Sequence, residues 1–303
     1  MKFSIIICTY NRAEYLRKSL ESAAKQDFPT EDFEILVVDN NSPDATETVC
    51  DDLMRQYPNI RYFKEMRQGV SYGRNRGMNE AQGKFIAFVD DDETIRSNYV
   101  YKLNEFFKTC PQAELCSLPV VPVFEAEPPK WMSSFTMRLI TGAYDKGTVV
   151  KQVSAKDYPG TGHAVFKRDL FLKYGAFNTA LGRKGSSLMG AEDKDFFLRL
   201  IQNNVACYYV PMAPIYHHIA ANKLTEDFFN RLTLAIGQSE RVRTLSISKK
   251  AYCKRLFSEA IKWAASFVLF VCYTVTFQIQ KGIKLLQFRK NVTKGLLSSA
   301  NNS

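Results

Sequence analysis

The stretch Lys84–Ile95 (KFIAFVDDDETI) constrains the fold more than any other part of the chain. Its first half is an uninterrupted apolar run of strand length, rich in aromatic and β-branched residues, which is typical of a strand buried in a parallel sheet. The run ends abruptly at three consecutive carboxylates, Asp90, Asp91 and Asp92. In open α/β sheets, ligands bind just beyond the carboxyl ends of the strands. The stretch therefore predicts a ligand site at the end of a buried strand.

The three carboxylates favour a divalent cation as part of that ligand. Neighbouring carboxylates repel each other and raise each other's pKa unless a cation neutralises them. Oxygen ligands of this kind suit a hard cation such as Mg²⁺ or Mn²⁺. The alternative is a solvated turn in which Asp92 or Thr94 caps the segment that follows, but a cap needs one acid rather than three. We therefore expect Mg²⁺ or Mn²⁺ as the cofactor.

Strands alternate with helices around this stretch. Apolar runs predict the buried strands Phe3–Thr9, Phe33–Val38 and Ile60–Phe63. Helical periodicity predicts helices over 11–26, 43–57 and 70–81, the second with Ser42 as its cap and Pro43 at its first position. This alternation is typical of βαβ units, so the sequence predicts an α/β fold with a mostly parallel central sheet.

The second half of the chain shows weaker periodicity. It predicts strands within 113–124, 160–169, 206–210 and 215–219, a helix after the glycine-rich loop Leu181–Gly190, and an amphipathic helix over 222–245. The segment from Pro128 to Tyr158 shows no strong periodicity, and long irregular segments in compact domains are often functional loops. Within it, Trp131 is predicted either to stack on a ligand or to anchor the loop.

Charge and apolar character set the end of the chain apart. The formal net charge is +10, and residues 249–303 carry ten Lys and Arg against one acid, which leaves about +1 for the rest. The seventeen residues Trp263–Ile279 carry no charge and are flanked by Lys262 and Lys281. A nucleic-acid role is disfavoured because the basic charge lies beside an apolar segment rather than along a groove.

This uncharged segment has three interpretations. As a helix it would cover about 25 Å, the lower limit for spanning a bilayer. A helix lying in the membrane surface, held by lysines that meet anionic lipid, explains the same facts, and so does a core or oligomer helix. We expect membrane attachment, with the surface position favoured over the spanning one. The last residues, 297–303, are predicted to be disordered.

The cysteines and the N-terminus indicate a cytoplasmic body. Seven cysteines at irregular positions match no disulfide framework, and Cys8 falls inside a predicted strand. The first residues enter a strand at once, without the pattern of a signal peptide. We therefore expect a cytoplasmic protein that is peripheral on, or anchored in, the inner face of the cell membrane.

Several polar residues and glycines lie at the ends of predicted strands, where a nucleotide would bind. They are Thr9, Tyr10, Asn11, Asp39, Gly69, Arg74 and Arg76. A carboxylate such as Asp39 can accept hydrogen bonds from a base or ribose, and the arginines offer forked donors for phosphate. Asp39 as a helix cap and Arg74 as a solvated helix residue are the alternatives. The chain contains neither a P-loop nor a dinucleotide fingerprint.

Four segments in sequence order resemble the family 2 glycosyltransferases of GT-A fold: SIIICTYNR, EILVVDNNSPD, GRNRGMNEAQGKFIAFVDDDE and GAEDKDFFLRL. The resemblance runs from about Phe3 to about Gly237. It implies a nucleotide-sugar donor, usually a UDP-sugar, and transfer with inversion at the anomeric carbon, as in bacterial-type surface-glycan glycosyltransferases. It also implies a GT-A domain over 1–245, with a nucleotide-sugar-binding half (1–95) and an acceptor half (96–245), followed by a helical membrane-associating tail (246–303).

The resemblance assigns roles to individual residues. Asp92 corresponds to the last acid of the family's DXD motif, which contacts the metal on the donor diphosphate, and Asp90 and Asp91 accompany it. Asp39 matches the acid that hydrogen-bonds uracil, and Arg76 lies where relatives contact the nucleotide. Asp193 matches the catalytic base, which an inverting transfer needs beside the acceptor hydroxyl.

Further assignments concern the acceptor and the metal. Glu192 would bind the acceptor or orient the site; the alternative is that both acids only complement the helix dipole. Relatives often place a histidine here near the metal and diphosphate. Adjacent strand residues face opposite sides, so at most one of His217 and His218 should enter the site, and we prefer His218. Trp131, which could stack on a sugar face, and His163 are the acceptor-side candidates, although many relatives carry an Asn-Met pair where this chain has His163-Ala164.

The sequence thus predicts a metal-dependent inverting glycosyltransferase that acts on a glycan or lipid-linked acceptor. A sugar nucleotidyltransferase would need a glycine-rich basic loop directly after the first strand, whereas this chain has TYNRAEY. A catalytically degenerate nucleotide-sugar-binding or scaffold protein of the same fold is the other alternative. Such a protein would be expected to have lost the aspartate triplet or the Glu-Asp pair, and both are present.

Overall fold

The computed structural model describes residues 1–154, 157–185 and 187–298. Its helices are Ala13–Ala24 (α1), Thr46–Met54 (α2), Val70–Glu80 (α3), Tyr99–Thr109 (α4), Ser134–Thr141 (α5), Asp169–Tyr174 (α6), Glu192–Gln202 (α7), Glu226–Ile247 (α8), Lys249–Val275 (α9) and Ile279–Leu297 (α10). Its strands are Phe3–Thr9 (β1), Phe33–Asp39 (β2), Ile60–Lys64 (β3), Phe85–Phe88 (β4), Glu93–Ile95 (β5), Leu115–Ser117 (β6), Val120–Phe124 (β7), Lys151–Gln152 (β8), Ala164–Lys167 (β9), Cys207–Tyr209 (β10) and Ile215–Ile219 (β11).

The chain forms two compact units. The first contains Met1–Val123, Gly142–Thr179 and Glu192–His218, and the second contains Phe124–Thr141, Ala180–Ala191 and the chain from Ile219 onward. The predicted boundary between residues 245 and 246 falls within the last turn of α8, inside the second unit.

An eight-stranded sheet organises the first unit, in the order β3-β2-β1-β4-β9-β6-β10-β8. Strands β1 to β4 are mutually parallel, as predicted, and Phe3 of β1 is in register with Phe33 and Phe85 on its two sides. β9 runs antiparallel to both of its neighbours. The chain moves outward from β1 to β3 and then returns to the other side of β1, so the strand order reverses between β1 and β4. Such reversal points open a crevice where ligands bind.

The core explains why the strands read as unbroken apolar runs. Ile5 and Ile7 of β1 belong to the apolar cluster on one face of the sheet, whereas Ile6 belongs to the cluster on the other face. Successive side chains of a strand point to opposite faces, so a strand covered on both sides needs apolar residues at every position. All seven residues of β2 are buried, including its last residue, Asp39.

Two local predictions in the first 160 residues are wrong. α2 begins at Thr46 rather than at Pro43, and Ser42 does not cap it. Instead, Asp44 accepts hydrogen bonds from the backbone N–H groups of Thr46 (3.2 Å) and Ala13 (2.9 Å), so one carboxylate serves the first turns of both α2 and α1. The segment predicted to be irregular contains α5 and the short strand β8. Both elements have too few residues for a periodic pattern to show in the sequence.

The second unit is helical. Its apolar cluster includes Trp131, Phe229, Phe288, Val292 and Leu296. Glycines bring α8 and α10 into close contact, because a Cβ added to Gly237 would lie 2.2 Å from the backbone oxygen of Val292. The C-terminal half of the chain's basic tail is therefore folded against α8.

The uncharged segment predicted at 263–279 is divided in the structure. It forms the end of α9, a turn at Thr276–Gln278, and the first residue of α10. Within the described residues, one helix, α9, is long enough and apolar enough to cross a membrane by length and composition. Its mean hydropathy is 1.4 over its most apolar window. Of the residues predicted to be disordered, Leu297 ends α10, and 299–303 lie outside the described residues.

Gly77 should be indispensable for the packing of α3 on β1. A Cβ at Gly77 would lie 2.6 Å from Cγ2 of Ile6, whereas a Cβ at Gly73 on the same helix would meet its nearest atom, Cys8 Sγ, at an ordinary 3.5 Å. We expect Gly77→Ala to be less stable than Gly73→Ala by about 1–3 kcal/mol, since both gain the same helix propensity but only one overpacks the core. Urea unfolding measures this difference. Equal stability of the two variants would show that the core accommodates the methyl group.

Candidate active site

The reversal point between β1 and β4 brings Thr9, Arg12 and the acidic triplet together. Asp91 accepts hydrogen bonds from Thr9 Oγ1 (2.8 Å) and Arg12 Nη1 (2.6 Å). Arg12 Nη2 reaches Asp92 Oδ2 at 2.9 Å, so one guanidinium bridges both carboxylates. Asp91 and Asp92, hereafter the carboxylate pair, are each only 5% exposed. Two buried acids therefore lie side by side at the end of β4 and share one positively charged partner, the Arg12 guanidinium.

The electrostatic environment of the carboxylate pair favours a positively charged partner. Burial, with smaller contributions from the neighbouring Asp92 and Asp90, raises the pKa of Asp91 to about 7 against the opposing effect of Arg12 and Thr9. Burial lowers the pKa of Arg12, but the carboxylates outweigh this and raise it above its ordinary value. A carboxylate that burial makes costly to ionise gains most from a nearby cation.

The donor set of the carboxylate pair fits a hard divalent cation. In the described parts of the chain, no three His, Cys, Asp or Glu side chains are arranged as a ready-made metal site. Mg²⁺-type sites, however, commonly use one or two carboxylates and complete the shell with substrate phosphates and water. A pair of buried carboxylates already bridged by a guanidinium meets that description.

A second arginine, Arg74, is buried and links Asp90 of the triplet to the Glu-Asp pair of α7. Arg74 Nη1 donates to Glu192 Oε1 (2.7 Å) and to Asp193 Oδ1 (2.8 Å), and Nη2 lies 3.7 Å from Asp90 Oδ1. Burial lowers the pKa of Arg74, but Asp193, Glu192 and Asp90 raise it above its ordinary value. The structure thus brings together the residues predicted for donor binding and for catalysis, and Arg74 is their common partner rather than a solvated helix residue.

Asp193 is held by one of its two carboxylate oxygens. Oδ1 accepts from Arg74 and also from Thr161 Oγ1, in the turn before β9. The side chain of Asp193 remains 29% exposed, whereas that of Glu192 is 7% exposed. The difference suits a reactive acid that meets solvent or substrate and a neighbouring acid that is structural.

His163 is neutral in this environment. Its Nε2 accepts a hydrogen bond from the Gly160 N–H (3.0 Å), and its ring lies 5.1 Å from that of Tyr144. Burial lowers its pKa to about 4, although Asp193 opposes the shift. As an acceptor-side residue, His163 would therefore act as a neutral hydrogen-bonding group rather than as a cation.

The preference for His218 over His217 does not agree with the geometry. His217 Nε2 lies 3.3 Å from Asp92 Oδ2, whereas His218 Nε2 lies 3.1 Å from Thr94 Oγ1. The backbone N–H of His218 donates to the Asp92 carbonyl (2.8 Å), which fixes β11 beside the triplet. Adjacent strand residues do face opposite sides, as expected, but it is His217 that faces the carboxylate pair.

The residues predicted to hold the base and ribose lie at the ends of β1 and β2. Asp39 Oδ2 accepts from the Tyr62 hydroxyl (2.7 Å) and its Oδ1 from the Ser42 N–H (2.8 Å). Asn11 has a positive φ of 55° and its N–H donates to Ser42 Oγ (2.9 Å), which ties the two strand ends together next to Tyr10. These loops are therefore preformed.

Gly69 immediately precedes α3, and Arg76 lies in the second turn of this helix. Gly69 precedes the helix with φ of 139°, a conformation that favours glycine, and its N–H donates to Asn40 Oδ1 (2.7 Å). Arg76 Nε lies 3.0 Å from Glu80, and its guanidinium lies 5.4 Å from the Phe63 ring. Of the two arginines predicted from the sequence, Arg74 contacts acids of the site, whereas Arg76 pairs with Glu80 of its own helix.

Trp131 is a hydrophobic anchor in the second unit. It is 9% exposed and belongs to the apolar cluster of that unit, with its ring 5.4 Å from Phe229 and the Lys284 ammonium 5.2 Å from its ring. These contacts match the second of the two interpretations offered by the sequence. Its role towards an acceptor stays a prediction.

Sequence reasoning missed Arg12 and Thr161. Arg12 was visible as the basic residue shortly after β1, but its pairing with acids 79 and 80 residues away depends on the position of β1 beside β4. Thr161 lies in a 3₁₀ turn, Thr161–His163, that carries no sequence periodicity. Neither contact is visible in the local pattern.

The chain belongs to glycosyl transferase family 2, whose model matches residues 4–175. The glucosyl-dolichyl phosphate glucuronosyltransferase of Haloferax volcanii is 26% identical over 264 residues, covering 84% of this chain and 83% of the relative. The succinoglycan biosynthesis protein ExoM of Rhizobium meliloti is 26% identical over 242 residues, covering 79% of this chain and 74% of the relative. Four further curated relatives are matched over 14–31% of their own length. The family assignment makes the protein a glycosyltransferase.

Solved structures confirm the GT-A fold. The mannosyltransferase PcManGT of Pyrobaculum calidifontis, solved with GDP-Man and Mn²⁺, has a TM-score of 0.65 at 16% identity, covering 98% of this chain and 87% of that one. TarS of Staphylococcus aureus, residues 1–349 with UDP-GlcNAc, has a TM-score of 0.59 at 18% identity, covering 97% and 92%. At these identities the likeness concerns the fold.

Replacing Arg12 should expose the charge requirement of the carboxylate pair. We expect Arg12→Gln to lower the free energy of unfolding by about 2 kcal/mol in EDTA, since it leaves two buried acids without their cation. Mn²⁺ should then raise the melting temperature of the variant more than that of the wild type.

The matched control is Arg17→Gln on α1, the helix that follows Arg12. The pairing of Arg17 with Asp52 is exposed to solvent. This substitution should change stability by less than about 0.5 kcal/mol and leave the Mn²⁺ response unaltered. Thermal melts with and without Mn²⁺ measure both effects. If the two variants behaved alike, Arg12 would not be compensating the carboxylate pair.

Proposed function

We propose that the protein transfers a sugar, with inversion, from a nucleotide-sugar donor, UDP-linked in the first instance, to a hydroxyl of a glycan or lipid-linked acceptor. One observation carries the proposal: the buried Arg74 connects Asp90, at the end of β4, with Glu192 and Asp193 in a single network. An inverting transfer needs a group that neutralises the leaving diphosphate and a base beside the nucleophile. The network holds candidates for both.

The donor side is assigned to the ends of β1, β2 and β4. Asp39, with Thr9, Tyr10, Asn11 and Gly69 around it, would hold the nucleoside; buried carboxylates of this kind favour ligands that donate hydrogen bonds. Asp91 and Asp92, with His217 beside them, would hold Mg²⁺ or Mn²⁺. When bound, such a cation neutralises charge that develops on the diphosphate leaving group.

The acceptor side is assigned to Asp193. Arg74 and Thr161 fix its Oδ1, which leaves Oδ2 as the oxygen we assign to the proton of the acceptor hydroxyl. As that hydroxyl oxygen forms its bond to the anomeric carbon, the bond from this carbon to the phosphate oxygen breaks and its electron pair leaves with the diphosphate. The proton passes to Asp193. Glu192 positions Arg74 and through it the base.

The location follows from the acceptor class. The Haloferax relative is named for a dolichyl phosphate-linked substrate. A basic, apolar C-terminal region suits a protein that meets such a lipid at the inner face of the cell membrane, as peripheral attachment places the catalytic unit beside it. We infer a cytoplasmic protein attached to the membrane surface through residues 246–303.

Substitution of the base tests this assignment. We expect Asp193→Asn to reduce transfer from UDP- or GDP-sugars by about 10²–10⁴-fold while leaving nucleotide affinity unchanged, because it removes the proton acceptor but not a donor ligand. The assay follows nucleoside diphosphate release with Mn²⁺ and vesicles that carry a polyprenyl phosphate-linked sugar.

Asp195→Asn is the matched control. Asp195 lies in the same helical turn and pairs with Arg199 at 3.5 Å, away from Arg74. It should retain a rate close to that of the wild type. Loss of activity in both variants would indicate damage to α7 rather than removal of a base, and full activity of Asp193→Asn would refute the assignment.

A further inference from the structure

The hairpin of α9 and α10 presents an exposed apolar surface. Val275, Phe277 and Ile283, around its turn, are 71%, 97% and 51% exposed, and Val268 farther along α9 is 62% exposed. Between Trp263 and Gln280 the chain carries no charged residue. A helix that is apolar on all sides requires a buried or lipid environment, and exposed patches of this kind mark interaction surfaces.

The hairpin is closed along its length. Trp263 Nε1 donates to Thr293 Oγ1 (2.9 Å) near its base, and a Cβ added to Gly282 would lie 2.9 Å from Phe270 near its turn. Close approach at a glycine and a side-chain hydrogen bond therefore hold α9 against α10 at both ends. The two helices behave as one antiparallel element.

Charged groups concentrate at the base of the hairpin. Glu259, 3% exposed, binds Arg255 (2.7 Å) and Arg289 (3.2 Å), and Arg289 also donates to Ser266 Oγ (2.9 Å). Buried ion pairs of this kind are strongly disfavoured in the centre of a bilayer. The base of the hairpin thus belongs outside the hydrocarbon region. Only the end of α9 after Ser266 and the turn that follows it suit a hydrocarbon environment.

α10 is fixed on the same side as α8. Asn230 of α8 accepts hydrogen bonds from Gln287 (2.6 Å) and Asn291 (3.0 Å), and Gly295 packs against Gly237 so closely that a Cβ on Gly237 would lie 2.9 Å from Gly295 Cα. If α9 crossed a bilayer, α10 would lie on the opposite side from α8 and lose all of these contacts. The two ends of the apolar segment therefore stay on one side.

The length of the apolar part agrees with this topology. From Ser266 to the end of α9 at Val275 the helix rises about 14 Å, about half of the ~30 Å hydrocarbon core of a bilayer. That distance reaches into a single leaflet. Trp263 would lie at the interface, where tryptophan is enriched in membrane proteins.

Charge identifies the surface that covers the hairpin. Residues 249–303 carry ten basic residues and one acid, and Lys262 and Lys281 flank the apolar part. Lysines beside an apolar surface reach the headgroups of anionic lipids while the stem stays in the leaflet. Association with a second copy would instead bring two such basic segments together.

We propose that the α9–α10 hairpin inserts its turn into one leaflet of an anionic bilayer and does not cross it. The inference deepens the membrane attachment in the proposed function by naming the element, its depth and its topology. It does not depend on the transfer chemistry: the Asp193→Asn protein should bind vesicles as the wild type does.

Flotation with vesicles tests the insertion. The full chain should bind vesicles of phosphatidylcholine with 30% phosphatidylglycerol and bind phosphatidylcholine alone weakly. The double variant Val275→Glu, Phe277→Glu should reduce binding about tenfold or more, because both side chains point into the leaflet. Leu172→Glu, at a position 71% exposed on α6 in the first unit, is the control and should bind like the wild type.

Two native cysteines can report how deeply the α9–α10 hairpin inserts into the bilayer. Cys272 and Cys253 are both exposed in the protein. In solution both should react with a membrane-impermeant maleimide, whereas on anionic vesicles Cys272 should become protected and Cys253 should not. A cysteine placed at the end of α10, Ser298→Cys, should stay reactive when the reagent is added outside sealed vesicles.

Three results would overturn the proposal. Protection of Ser298→Cys until the vesicles are permeabilised would show that α9 spans the bilayer. Equal labelling of Cys272 with and without vesicles would show that the hairpin does not insert. Failure to float, together with a dimer that the Val275→Glu, Phe277→Glu variant converts to a monomer, would show that a second copy covers this surface.

Discussion

The pairing of buried carboxylates with arginines at the ends of β1 and β4 is the interaction on which the rest of the site depends. Arg12 bridges Asp91 and Asp92, and Arg74 bridges Asp90 with Glu192 and Asp193. Removing charges from water is costly unless each finds a partner, so neither group could be buried alone. The acids that would bind the cation of a donor diphosphate are thus paired with arginines in the protein. Binding of the donor would exchange these internal partners for those of the ligand.

The sheet topology brings these charges together. β1 lies between β2 and β4, so residues far apart in the chain meet at the reversal of strand order. The antiparallel strand β9 then places Thr161 beside Asp193, and β11 places His217 beside Asp92. Close packing of Gly77 on Ile6 keeps α3, and hence Arg74, at a fixed distance from β1. Precise positioning of a donor requires side chains that are held rigidly in this way.

Much of this arrangement could be predicted from sequence, and the misses share a physical cause. Buried strands with unbroken apolar runs, the parallel order of β1 to β4 and the acidic triplet at a strand end all follow from local patterns. Arg12, Thr161 and the choice of His217 do not, because each depends on which strands become neighbours. α5, with eight residues, was too short for its periodicity to show within an irregular segment, and the start of α2 shifted because Asp44 satisfies the backbone donors that Ser42 was expected to satisfy.

Calorimetric titration with nucleoside diphosphates tests the central claim most directly, since it needs neither the sugar nor the acceptor. UDP and GDP would be titrated into the wild type and into Asp92→Asn, each with Mn²⁺ and with EDTA. The account predicts that one nucleotide binds the wild type more tightly with Mn²⁺ and that Asp92→Asn abolishes the Mn²⁺ effect while keeping weak metal-free binding. Equal binding with and without Mn²⁺ in both proteins, or no binding of either nucleotide, would contradict a donor diphosphate held at the carboxylate pair.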